Sequence, residues 1–255
     1  NSKSDKKLWC TVRVEKNATL INERQDSFDY NSNASYPIHA YIYGTLTLNQ
    51  KWTVGKCARY IHLHDGALIN GSAENALHSN ISGYACDFIA EEGTSTITAP
   101  FVKGEGTINV VTRENAMLVL STSQALAKSG AGTLRIKNTH LVSDISGSEG
   151  VLELYNDSGE NKTHYNTISF AGTIKATREN SSKSHNVFGT STENTTTTGQ
   201  DLILTGMPKL EIAGTQAYLC LNAQLANQNL SVKNLTYEGN VSDAKVDPVF
   251  NDGTS

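Results

Sequence analysis

Gly106-Thr107-Ile108-Asn109-Val110-Val111-Thr112-Arg113-Glu114-Asn115 returns, one residue shorter, as Gly172-Thr173-Ile174-Lys175-Ala176-Thr177-Arg178-Glu179-Asn180. The two copies start about 66 residues apart, or about three periods of 22, which is within the length range of repeat architectures. Shorter relatives surround them: Gly44-Thr45-Leu46-Thr47-Leu48, Gly66-Ala67-Leu68-Ile69, Gly132-Thr133-Leu134-Arg135-Ile136 and Gly150-Val151-Leu152-Glu153-Leu154. Each is a glycine followed by small polar residues alternating with β-branched or aliphatic ones, the pattern of a turn feeding a short strand. Repeated down the chain, the phrase predicts a stack of similar β coils and a protein that works as a long surface.

Working outward, strands are expected at Tyr41–Leu48, Trp52–Val54, Tyr60–Leu63, Ala67–Ile69, Asp87–Ala90 and Ser95–Ala99. They continue at Thr107–Val111, Ala116–Leu120, Thr133–Ile136, Val151–Tyr155, Thr167–Phe170 and Thr173–Ala176, and resume from Asp201. Short strands this closely spaced fit a sandwich, a barrel or a solenoid, and the recurring Gly-Thr phrase favours an all-β solenoid, with a β-sandwich or jelly roll as the alternative. Residues 1–40 do not carry the phrase and are expected to form an N-terminal cap, with Leu8–Val14 as a strand. The solenoid body spans 41–245, interrupted by a polar stretch at 179–199 that reads as a long exposed loop, and 246–255 reads as a tail or linker. Helix is nearly absent, with one turn expected at Ser123–Lys128.

The formal net charge is −4 and charged residues make up 18% of the chain, with no Lys/Arg block interleaved with aromatics, so a nucleic-acid partner is not expected. No apolar run approaches the ~20 residues that cross a bilayer as a helix. The sequence starts at Asn1 rather than Met, as a processed or cut form would, so the lack of a visible signal peptide carries no weight.

Eleven Asn-x-Ser/Thr triplets stand at Asn17, Asn33, Asn70, Asn80, Asn156, Asn161, Asn180, Asn194, Asn229, Asn234 and Asn240. Chance would give about five in this composition, so the excess is either drift in an Asn/Thr-rich surface protein or glycosylation outside the cell. The four cysteines are widely spaced and no CxxC occurs, which excludes a zinc knuckle and a thioredoxin-type site. Cys10, Cys57 and Cys86 are candidates for a disulfide pinning the cap, whereas Cys220 reads as a buried small hydrophobe.

The Gly44, Gly106 and Gly132 phrases resemble the repeats of bacterial autotransporter passengers and related adhesin-type β-helices, over residues 40–178. The resemblance implies a right-handed parallel β-helix on the cell exterior, usually without catalytic residues in the helix. One departure is the polar tail, where that family's route of export requires a membrane β-barrel.

Enzyme chemistry on a β-helix would need paired acids. Arg135-Ile136-Lys137 matches a substrate-binding triplet of the polygalacturonase branch, but the Asn-Thr-Asp, Asp-Asp and Gly-His-Gly clusters of that branch do not occur. The triplet is expected to be an alternating strand with both cations facing solvent. His62 and His64 in Ile61-His62-Leu63-His64-Asp65-Gly66 share one strand face and are the candidate metal ligands, although a strand end turning at Asp65-Gly66 explains them as well. Tyr41, Tyr43, Tyr60 and Tyr84 are candidates for a sugar-stacking strip or for packing of the cap. These readings predict a secreted or surface-displayed, non-enzymatic structural or adhesive protein with no cofactor. Its partner would be a glycan or other surface ligand, or itself through strand edges at 1–14 or 245–255. A carbohydrate-binding or polysaccharide-degrading β-helix is the alternative.

Overall fold

The computed structural model describes residues 11–23, 38–54, 58–72, 77–79, 85–103, 107–141, 143–164, 166–179, 186–188, 202–205, 208–214, 219–221 and 235–237. All regular structure among them is β-strand. One long sheet runs in the order β1 (Val12–Val14), β3 (Ile38–Ile42), β6 (Ala58–Leu63), β9 (Ala85–Ala90), β12 (Thr107–Thr112), β14 (Leu126–Ser129), β16 (Ile145–Gly147), β19 (Asn166–Phe170) and β22 (Leu202–Thr205). A second runs β2 (Thr19–Asn22), β4 (Thr45–Leu48), β7 (Leu68–Gly71), β10 (Gly93–Ile97), β13 (Ala116–Leu120), β15 (Thr133–Lys137), β17 (Val151–Asn156), β20 (Thr173–Arg178), β23 (Lys209–Gly214) and β25 (Leu235–Tyr237). Two three-stranded sheets complete the wall: β5 (Trp52–Val54), β8 (Leu77–Ser79) and β11 (Phe101–Lys103), then β18 (Lys162–His164), β21 (Asn186–Phe188) and β24 (Leu219–Leu221).

The chain visits the sheets in turn, and each strand pairs in parallel with its counterpart in the next coil. This is a β-solenoid, as the sequence predicts. The sandwich alternative is excluded, because its sheets would be antiparallel.

Parallel stacking puts like positions on top of one another. Leu46, Ile69, Ile97, Leu120, Ile136 and Leu154 form one inward column of the second sheet, and Ala40, Ile61, Phe88 and Val110 form one of the first. All are buried, and the two columns face each other across a core only one coil wide. Each member therefore packs on the coils above and below, so a cavity there opens contacts in three coils at once.

The corner from the first sheet to the second has its own chemistry. Glu15-Lys16-Asn17-Ala18, His64-Asp65-Gly66-Ala67 and Arg113-Glu114-Asn115-Ala116 are four-residue turns. They are closed by hydrogen bonds of 3.0, 2.9 and 3.0 Å from the fourth N–H to the first carbonyl. The third residue has φ of 64°, 79° and 63°, respectively, while the second is not left-handed, so these are type II turns. Asparagine and glycine are the residues that enter this region at low cost, which is why they alternate at the same corner.

The structure departs from the expectations at six points. The two long copies of the phrase are not equivalent: Thr107–Thr112 is β12 of the first sheet, and Thr173–Arg178 is β20 of the second. The register partners of Thr173 are Val151 and, one coil further, Thr133, so the shorter phrases at Gly150 and Gly132 are the true repeats. Coil length also varies: successive counterparts Val110 and Lys128 lie 18 residues apart, whereas Ile168 and Leu204 lie 36 apart. Val12–Val14 and Thr19–Asn22 pair in register with β3 and β4, so the solenoid already includes this part of the expected cap. The helical turn expected at Ser123–Lys128 is replaced by β14, because Leu126 and Lys128 both point inward and pair with β12 and β16. Tyr41–Leu48 is two strands bent at Tyr43-Gly44, since a coil must turn from one sheet to the next. The loop expected at 179–199 contains β21, the middle strand of a short sheet. Residues 1–10 and 246–255 lie outside the described residues.

The corner geometry predicts a ranked response. Asn115→Gly should change stability by under about 0.5 kcal/mol, whereas Asn115→Val should cost roughly 1–2 kcal/mol through the left-handed backbone. Leu118→Ala, in the core, should cost about 2–5 kcal/mol. Urea unfolding of the three variants checks the order, and an Asn115→Val protein as stable as the parent would contradict it.

Candidate functional site

Two features stand out on the outer surface. The first is a ladder of rings on the first sheet. The alternating triplets His39-x-Tyr41-x-Tyr43 and Tyr60-x-His62-x-His64 lie one coil apart, with His39 opposite Tyr60 and Tyr41 opposite His62. Their rings stack: His39 on Tyr60 at 4.7 Å, Tyr41 on His62 at 4.5 Å and Tyr43 on His64 at 3.8 Å between centroids. Arg13 closes the end of the ladder at 4.6 Å over Tyr43. Of the candidate tyrosines, Tyr41, Tyr43 and Tyr60 each stack on a histidine ring of this ladder, and Tyr84 lies outside the described residues. Stacking turns the faces of Tyr41 and Tyr43 toward neighbouring rings, which leaves edges for a sugar rather than flat surfaces.

A polar relay runs through the same rings. His62 Nδ1 donates to Glu91 Oε1 at 2.6 Å, because a carboxylate can only accept. The other ring nitrogen, His62 Nε2, shares a hydrogen bond of 3.0 Å with His39 Nδ1. The far oxygen of Glu91 accepts from Arg113 Nε at 3.3 Å. His64 Nδ1 donates to Glu92 Oε1 at 2.8 Å, and its Nε2 is enclosed without a partner among the described residues. Burial, reinforced by the neighbouring His62, lowers the pKa of His39 below the usual histidine value. Burial alone would raise Glu91, but the hydrogen bond from His62 and the charge of Arg113 hold it below the usual carboxylate value.

The metal candidates His62 and His64 do share the outer face. They do not converge on one point, however: both nitrogens of His62 are engaged and His64 turns to Glu92. Among the described residues no three His, Cys, Asp or Glu side chains are grouped to hold a metal ion.

The second feature is a shallow groove of about 430 Å³ on the outer face of the second sheet. Thr96, Thr98, Val119, Ser121, Arg135, Lys137 and Asn138 line it, from three successive coils. Arg135 and Lys137 share the outer face as the sequence predicts, but both are paired. Arg135 Nε donates to Glu153 at 2.7 Å, and Lys137 Nζ lies 3.2 Å from Asp157. Both cations also lie over the ring of Tyr155, at 4.5 and 5.4 Å from its centroid. Burial and the hydrogen bond to Glu179 push the Tyr155 hydroxyl up to about 12, so it stays a donor. Glu153 is 4% exposed and takes a second hydrogen bond from Thr177 at 2.6 Å.

Polar groups are also buried inside the wall, Lys128, His164 and Asn156 among them. Lys128 occupies an inward position and is 2% exposed; its ammonium donates to the carbonyls of Gly130 and Glu149 at 2.7 and 2.9 Å. Burial, opposed by the Glu149 charge, lowers its pKa to about 8. His164 accepts at Nδ1 from the Leu141 N–H (3.3 Å) and donates at Nε2 to Asn186 Oδ1 (2.9 Å), which fixes the neutral tautomer. Burial first, and then His140, lowers its pKa to about 4 against the pull of Asn186. Asn156 is 0% exposed, donating to the Glu160 carbonyl and accepting from Ser158.

That burial corrects one glycan candidate, since the Asn156 amide has no room for a sugar. Asn17 and Asn161 are exposed and Asn70 is half-buried, while Asn33, Asn80, Asn180, Asn194, Asn229, Asn234 and Asn240 lie outside the described residues. Cys86 is also corrected: it is a free thiol, buried, whose pKa is raised first by that burial and then by Asp87. It belongs to the core, as Cys220 was expected to, and Cys10 and Cys57 lie outside the described residues.

Neither His39 nor Glu91 is marked in the sequence by ligand spacing. The signal that finds His39 is the second alternating aromatic triplet; nothing local marks Glu91, which meets His62 from the next coil. No protein family, curated protein or solved structure matches the chain.

The neutral buried His164 predicts acid sensitivity with a defined window. Above pH 6.5 the imidazole is neutral in both folded and unfolded chains. Between 6.5 and about 4 the unfolded chain takes up the proton and the folded one does not, so stability falls with pH by up to on the order of 3 kcal/mol. His39 adds in the same direction. Urea unfolding at pH 7.5, 6 and 5 should show this slope, and His164→Gln should flatten it while lowering stability at pH 7.5. An unchanged slope in that variant would rule out His164 as the source.

Proposed function

We propose that the chain is a non-enzymatic structural or adhesive protein of the cell exterior whose working part is the rod itself. The observation that carries this reading is how the outer side chains are used. His62, Glu91 and Arg113 satisfy one another, as do Arg135 and Glu153, Asn109 and Asp87, and Asn138 and Asp157, each across neighbouring coils. Such pairs stiffen a stack and are not poised for proton transfer to a substrate. The groove beside Arg135 is lined, among the described residues, by hydroxyl, amide, aliphatic and cationic groups without a carboxyl. Glycosidic cleavage by the usual route calls for two.

The resemblance of the Gly-Thr-aliphatic phrases to autotransporter passenger repeats supports an exterior location, as do the exposed sequons at Asn17 and Asn161. Ten strands at about 4.8 Å make the second sheet about 43 Å long. A parallel stack has an open edge at each end, so growth by strand addition between copies belongs to the same proposal. Carbohydrate recognition is the second reading, favoured by the groove.

Native mass measurement and negative-stain imaging test the proposal, on the full chain and on a chain lacking 245–255. Elongated particles or end-to-end filaments are expected, with no release of reducing ends from polysaccharides. Filaments lost on truncation would assign the tail as the donor strand. Compact particles, or turnover of a polysaccharide, would overturn the proposal.

A further inference from the structure

We infer that the groove between Thr96/Thr98 and Arg135/Lys137 binds a segment of an uncharged polysaccharide. The inference rests on the adhesive reading and names its ligand class.

The outer face of the second sheet changes character along the rod. Across β4, β7, β10 and β13 no outward position is charged: Thr45, Leu68, Thr96 and Val119 stack in one column, and Thr47 and Asn70 in the next. At β15 the face steps up to Arg135 and Lys137, and beyond it the column alternates Arg135, Glu153, Lys175 and Glu211. The groove is this step. Val119 and Ser121 line it with short side chains, and Arg135 and Lys137 with long ones.

The state of the two cations decides the ligand's charge. Their heads lean onto Tyr155 in the next coil and pair with Glu153 and Asp157. Glu153 and Asp157 balance the two charges, so the groove offers an incoming carboxylate or sulfate no net positive charge, and the long aliphatic stems of Arg135 and Lys137 belong to its lining. What remains is a mixed surface: the methyl groups of Thr96, Thr98 and Val119, the stems, and the hydroxyls of Thr96, Thr98 and Ser121. Ser121 Oγ donates to the Lys137 carbonyl at 3.1 Å and still has lone pairs to accept. Aliphatic C–H patches beside hydroxyls at strand spacing match a sugar ring, which carries C–H groups and hydroxyls at similar intervals. At about 430 Å³ the groove is in the size range of small-ligand sites and takes a few sugar units, not a folded partner.

Isothermal titration tests this with neutral hexasaccharides (cello-, xylo-, manno- and malto-series) and with oligogalacturonate and hyaluronan fragments. The full chain is compared with Ser121→Trp, which fills the groove from an exposed position, and with Thr96→Ala/Thr98→Ala. Thermal unfolding verifies that each variant is folded. At least one neutral series is expected to bind, with affinity at least tenfold weaker in both variants and no comparable binding of the anionic fragments. The inference is overturned if the folded chain binds none of the neutral series, if Ser121→Trp binds as tightly as the parent, or if anionic fragments bind best and lose affinity in Arg135→Gln. Rods that bind no saccharide would leave the structural reading standing and remove this one. Neutral binding accompanied by new reducing ends would keep the groove and remove the non-enzymatic reading.

Discussion

The hydrogen-bond ladder between consecutive coils holds each strand about 4.8 Å from its counterpart and so stacks every side chain on the equivalent one above and below. The rest of the molecule is arranged around that constraint. Inward, it turns aliphatic residues into continuous buried columns such as Leu46 to Leu154. At the corners it requires the chain to change sheets within a few residues, and a left-handed Asn or Gly does this at Asn17, Gly66 and Asn115. Outward, it brings charges into contact, so they must alternate in sign or be replaced by groups that tolerate stacking. The Arg135-Glu153-Lys175-Glu211 column is one solution, and the Tyr–His ladder is the other.

Those outward solutions bear directly on function. Arg135, His62 and Glu91 each spend part of their hydrogen-bonding capacity on a neighbouring coil. Stacking between coils also explains why the tyrosines, which in isolation look like a sugar platform, present edges. The groove at Val119 and Ser121 exists for the complementary reason. Two adjacent coils carry short side chains where the next carries long ones, and nothing in the stacking rule fills the gap.

The polar residues within the wall show the same rule under stress. Lys128 and His164 stand where the register calls for apolar or neutral groups, and each is tolerated because backbone carbonyls, the Leu141 N–H or Asn186 complete its hydrogen bonding. The cost appears as lowered pKa values: His164 makes the solenoid acid-sensitive between about pH 6.5 and 4, whereas Lys128 carries its cost at every pH below about 8.

By itself the sequence determined the all-β class and favoured a solenoid, because alternation over four to six residues after a Gly-Thr turn is a local property, while the sandwich alternative fell only to the parallel pairing across coils. It located most strands and the outward placing of Arg135 with Lys137 and of His62 with His64. It misjudged equivalence: the long phrases at Gly106 and Gly172 look like copies yet occupy different sheets, because any strand following a turn wears the same pattern. Only the tertiary structure decided the register, and with it every contact across coils of unequal length. His39 meets His62 and His62 meets Glu91 through separations of 23 and 29 residues, which no fixed period predicts. Burial of Asn156 and Cys86 was likewise undecidable locally, since a sequon or a cysteine reads the same on either face of a strand until its neighbours are placed.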